Sequence, residues 1–140
     1  MQNRMRVVLA VAVLGGIAAF LAAAQVPEQA AEAAATPWIA LVDAGKYGQS
    51  WDAAASAFQQ AVSRSQWEEA VRKARTPFGK VLSRKLASAK FTKDLPGVPT
   101  GDYVVLQYET RYENKAGAVE TISVMKDKDG AWKVAGYLIK

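Results

Sequence analysis

The feature that most constrains the fold is a change of hydrophobic rhythm at Gly79. Before it, apolar residues recur at intervals of three and four; after it, they alternate in twos. Thr36-Pro37 is a cap residue followed by a proline suited to a first helical position, and Trp38, Leu41 and Val42 then fall on one helical face that Gly45 is placed to end. Trp51, Ala54, Ala55 and Phe58 predict a second short helix over Gln49 to Phe58. A third opens at Ser63, with Gln66 three residues on as its capping-box partner, and Trp67, Ala70, Val71, Ala74 and Phe78 make its apolar face. Thr76-Pro77 and Gly79 close it.

Four extended runs follow: Val81 to Leu95, Asp102 to Glu113, Ala118 to Lys126, and Trp132 to Ile139. The breaks at Asn114 to Gly117 and Asp127 to Gly130 are short enough for tight hairpins, which predicts an antiparallel meander. In the second run Val104, Leu106, Tyr108 and Tyr112 alternate with Gln107, Glu109 and Arg111, so one face is core and the other is wet. Helices first and strands afterwards, without βαβ alternation, predict an α+β fold with N-terminal helices packed on one face of a four-stranded antiparallel sheet.

The N-terminus predicts where this domain works. Arg4 and Arg6 precede an apolar run from Val7 to Ala24, and Ala22-Ala23-Ala24 supplies the small residues of a signal-peptidase site. Residues 1–24 are therefore read as a signal peptide cleaved before Gln25, which places the mature chain in the periplasm or outside the cell. The alternative is an uncleaved anchor with the domain still outside the cytoplasm. Residues 25–36, rich in Ala and without a large apolar residue after Val26, read as a disordered or weakly helical linker. Residues 37–140 then form a single domain.

Composition removes whole classes of chemistry. The chain has no Cys and no His, which excludes disulfide staples, Cys/His zinc sites, Cys nucleophiles and any triad with a His base. No metal and no cofactor is expected. Removing Arg4 and Arg6 from 18 basic residues leaves 16 against 13 acidic ones, a net charge of +3. That mild excess, interleaved with acids, does not read as a nucleic-acid surface. Arg72, Lys73, Arg75, Lys80, Arg84 and Lys85 form the nearest thing to a cluster and read as a solvated surface, with contact to anionic lipid headgroups as the sharper alternative.

Three stretches together carry a family likeness: "WIALVDAGKYGQSWDAAASAF" from Trp38, "VSRSQWEEAVRKARTPFGKVLSRKL" from Val62, and the segment from Gly101 to Lys140 that contains Ala-Val-Glu-Thr and Asp-Gly-x-Trp. In combination they resemble domain of unknown function 4019, a family of bacterial secreted proteins. The resemblance implies export and carries over no catalytic residue, because the family has no established activity. Helices followed by a meander also look like the cystatin-like or nuclear transport factor 2-like cone.

In such a cone, helices and sheet can enclose an apolar pocket, and Trp38, Trp51, Phe58, Trp67, Tyr108 and Trp132 are the residues expected to line it. The competing expectation is that these six are simply core. The function expected is a non-enzymatic module that binds a small ligand or a protein of the envelope. The alternative is an isomerase- or hydrolase-like enzyme using an Asp/Tyr pair drawn from Asp43, Asp52 and Tyr47. Sheet edges offer a third route, through a homodimer or an added peptide strand, although Arg84, Lys85, Lys90 and Lys93 also read as protection of the first strand against pairing. Glu120 and Thr121 read as a cross-strand pair or a polar surface feature.

Overall fold

A computed structural model describes residues 25–140, and the expected signal segment lies outside them. The element order is α1 (Pro27–Asp43), α2 (Tyr47–Asp52), α3 (Ser56–Ala61), α4 (Arg64–Arg75), a short 3₁₀ turn (Thr76–Phe78), then β1 (Val81–Thr92), β2 (Tyr103–Tyr112), β3 (Lys115–Lys126) and β4 (Trp132–Ile139). The strands form one antiparallel sheet in the order β1-β2-β3-β4, the meander that the turn spacing predicts. Helix α1 packs against all four strands, so the α+β layering holds. No described helix is long and apolar enough to cross a membrane.

The helical half departs from the sequence reading in two places. Helix α1 begins ten residues early, with Pro27 at its start, and runs through Pro37. The stretch read as a linker is helical because it does have something to bury: Ala31 and Ala35, one turn apart, are both fully buried in the core. Their small side chains bring the helix close to the sheet. The expected helix over Gln49 to Phe58 is two helices, because Ala55 is extended (φ −60°, ψ 151°) and donates its N–H to Val134 O of β4 at 2.8 Å. A sheet contact takes the donor that a continuous helix needs.

Tertiary contacts also finish α3. Its N-terminal Ser56 donates from N and Oγ to the Asp127 carboxylate at 3.0 and 2.7 Å, so the β3–β4 turn caps a helix more than seventy residues away in sequence. Those bonds hold the Asp127 carboxyl far below its ordinary range. Helix α4 opens as read, with Ser63 Oγ accepting from Gln66 N at 3.2 Å and Gln66 Oε1 accepting from Ser63 N at 3.0 Å, but Ala70 is exposed and Phe78 falls in the 3₁₀ turn beyond the helix. It ends through the 3₁₀ turn at Gly79, whose φ of 73° suits glycine.

The core gathers Trp38, Ile39, Val42, Phe58, Trp67 and Val71 from the helices against Val104, Leu106, Tyr108, Ile122, Val124 and Val134 from the sheet. Trp67 is its hub, with ring centroids 5.8 Å from Trp38, 5.0 Å from Phe58 and 6.2 Å from Tyr137. Indole N–H groups in such a core need partners. Fully buried Ser50 supplies two, its carbonyl accepting from Trp38 Nε1 at 2.8 Å and its Oγ from Trp67 Nε1 at 2.9 Å.

Candidate functional site

The inward row of the sheet is not wholly apolar. On β3 it reads Ala118, Glu120, Ile122, Val124, and on β2 Val104, Leu106, Tyr108, Thr110, Tyr112. Glu120 and Thr110 are thus carried into the interior by the same two-residue period that places the aliphatics there. Glu120 is fully buried, so its charge must be matched. Arg84 on β1 donates from Nε to Glu120 Oε1 at 2.7 Å, Thr110 donates to the same oxygen, and Tyr137 Oη donates to Oε2.

Arg84 then links the sheet to the helices. Its Nη1 and Nη2 donate to Asp43 Oδ2 and Oδ1 at 2.7 and 3.0 Å, and Arg75 Nη2 reaches Asp43 Oδ1 at 2.7 Å. Two carboxylates and two guanidiniums alternate as Arg75, Asp43, Arg84 and Glu120, a balanced lattice spanning α4, α1, β1 and β3. Side-chain exposure is 0 % at Glu120, 7 % at Arg75, 15 % at Arg84 and 27 % at Asp43, so the lattice opens to solvent at Asp43. Arg75 also stacks over the Tyr112 ring at 5.0 Å.

Both carboxyls titrate low. Burial pushes the Asp43 carboxyl up, but hydrogen bonds from Arg84 and Arg75 outweigh it; at Glu120 burial is outweighed in the same way by bonds from Arg84, Thr110 and Tyr137. Tyrosines around the lattice move the other way. Burial, with the Glu32 carboxylate second, raises Tyr108 to about 12, and burial beside Glu120 raises Tyr112 to about 12. The hydroxyls of Tyr108 and Tyr112 are buried without a hydrogen-bond partner.

Where the lattice meets solvent, a cleft of about 360 Å³ lies between α1 and the β1–β2 edge, lined by Glu32, Thr36, Asp43, Arg84, Leu86 and Tyr108 among others. It joins an ion pair, an apolar wall and a buried tyrosine. Among the described residues Glu32 has no ion-pair partner, and no cluster of acidic side chains suits a metal ion.

The six aromatic residues singled out in the sequence do not converge on one pocket. Trp38, Phe58, Trp67 and Tyr108 are buried core, and Trp51 and Trp132 pack half-buried against it. Trp38 and Trp132 border an open cleft of about 250 Å³, Trp67 a second of about 210 Å³, and Tyr108 the polar cleft; Trp51 and Phe58 border none of these. The Asp/Tyr pair is not assembled either. Asp52 is exposed and paired with Arg64 at 3.1 Å, Tyr47 lies under Arg72 at 5.7 Å, and no hydrogen bond joins Tyr47 to Asp43 or Asp52.

Two members of the supposed surface cluster, Arg75 and Arg84, are instead the cations of the interior lattice. Arg84 is likewise not an edge guard, and Glu120 is no surface feature. Counting in twos along β3 from Ile122 and Val124 would have placed Glu120 inside, where a carboxylate requires a cation.

The family model described as "Protein of unknown function (DUF4019)" matches residues 34–137. No curated protein and no solved structure matches the chain.

Proposed function

The chain belongs to the family described as "Protein of unknown function (DUF4019)", a description that assigns no activity, and on the chain's own geometry we propose a non-enzymatic binding domain of the bacterial envelope. Export rests on the signal-like first 24 residues. The ligand is a small polar molecule, seated in the cleft between α1 and the β1–β2 edge.

One observation carries this reading: the cleft is the place where the buried ion lattice reaches solvent. A buried lattice of charges is often no more stabilising than apolar packing of the same volume, so its presence at a cleft mouth favours a binding role. At the rim Glu32 adds a carboxylate that has no ion-pair partner among the described residues, which suits a ligand bearing an ammonium or other cationic group. The lowered titration of Asp43 supports binding over proton abstraction, for which a carboxyl is ordinarily raised toward neutrality.

Ala40 is exposed on α1 and borders the cleft, so Ala40→Trp fills it from the surface without replacing a core side chain. Mass spectrometry of small molecules that co-purify from the native envelope is expected to find one enriched with the unaltered protein and absent from Ala40→Trp. Equal enrichment with both proteins, or none with either, defeats the proposal.

A further inference from the structure

The two outer strands of the sheet are finished differently. Strand β4 has part of its outer edge covered, since Val134 O accepts from Ala55 N at 2.8 Å. Strand β1 pairs only with β2, and among the described residues no other backbone group bonds to the backbone of Val81–Thr92. Its outer row of N–H and C=O groups is open over 12 residues.

Charge marks this edge. From Lys80 to Lys93 the chain carries five basic residues and no Asp or Glu. Arg84 is committed to Asp43 and Glu120, whereas Lys80, Lys85, Lys90 and Lys93 are exposed. The register arranges them: Arg84, Leu86, Ala89 and Phe91 lie opposite Thr110, Tyr108, Leu106 and Val104 on the inner face, and Ser83, Lys85, Ser88 and Lys90 lie opposite outward residues. The irregularity between Leu86 and Ser88 keeps both lysines in the outer row. Phe91, 38 % exposed, offers an apolar contact on the inner side of the same edge.

A second copy of the chain is a poor occupant, because pairing β1 with β1 sets two lysine rows against each other. The same lysines complement a strand with carboxylates along one side. We propose that β1 is a docking edge for an acidic, extended segment of another protein, which adds to the sheet as a fifth strand with its acidic side chains beside Lys85 and Lys90 and an apolar one against Phe91. Backbone bonds supply the affinity and the lysine row supplies selection. Lys85 and Lys90 do not line the cleft beside Ala40, so their substitution leaves it in place and the two proposals stand or fall separately.

The test uses the full chain with two synthetic 12-residue peptides, roughly the length of β1, one alternating glutamate with valine and the other lysine with valine. Amide hydrogen exchange is expected to slow within Val81–Thr92 with the glutamate peptide only. Binding should weaken about tenfold in Lys85→Glu/Lys90→Glu and fall with added salt. The salt series on the unaltered chain discriminates even where the double variant folds poorly. Unchanged exchange in β1, slowing confined to β4, or equal binding of the lysine peptide overturns the proposal. So does adhesion to anionic vesicles without β1 protection by the peptide.

Discussion

Glu120→Gln isolates what the interior lattice contributes. The substitution keeps shape and removes one negative charge from a fully buried position, leaving Arg75 and Arg84 to share Asp43. Breaking one side of a buried ion pair costs about 3–5 kcal/mol. The glutamine oxygen still accepts one bond from Arg84 or Thr110, so the expected loss lies near the lower end, about 3 kcal/mol. For a domain of this size that is a drop in Tm of roughly 10–15 °C. Urea denaturation followed by circular dichroism measures it. Arg84→Met in the same background removes the cation left in excess and leaves Arg75 paired with Asp43 at 2.7 Å. The double variant is therefore expected to recover at least about 2 kcal/mol relative to the sum of the two single losses. A loss below about 1 kcal/mol for Glu120→Gln, or simple additivity in the cycle, refutes the view that these charges hold one another in place.

Two further predictions concern stability. Ser50→Ala leaves the Trp67 indole N–H unpartnered in the core and removes the bond from Ser50 Oγ to Tyr47 O, an expected loss of about 1–3 kcal/mol; tryptophan fluorescence during urea unfolding reads it, and an unchanged midpoint contradicts it. Stability should also fall at both pH extremes. Asp43 and Glu120 titrate lower folded than unfolded, so their contribution is complete above the unfolded carboxyl range and disappears as pH drops below about 4. Tyr108 and Tyr112, raised to about 12, contribute fully below the unfolded tyrosine range near pH 10 and lose that contribution as pH climbs through their folded values. Thermal scans from pH 2 to pH 12 should show both limbs, the acid one smaller in Glu120→Gln; a flat profile contradicts the assignment.

Much of the fold was legible because its signals are local. The Ser63–Gln66 capping box, the stop at Gly79 and the alternation along β2 each depend on residues a few positions apart, and the structure shows all three. Legibility failed where a distant partner decides the outcome. Ala31 and Ala35 look incapable of anchoring a helix until the sheet lies beneath them. Ala55 looks helical until Val134 takes its N–H.

The candidate site failed the same way. Asp43, Arg75, Arg84 and Glu120 each have a plausible surface role when read singly, and only the packing of α1 and α4 on the sheet brings them together. By itself the sequence determined the order of helices and strands, the meander, and the exclusion of cysteine and histidine chemistry. Tertiary structure alone decided which cations meet the buried carboxylate and where their lattice reaches solvent. Periodicity assigns a residue to a face, but a buried charge persists only beside its counterion, and that counterion comes from elsewhere in the chain.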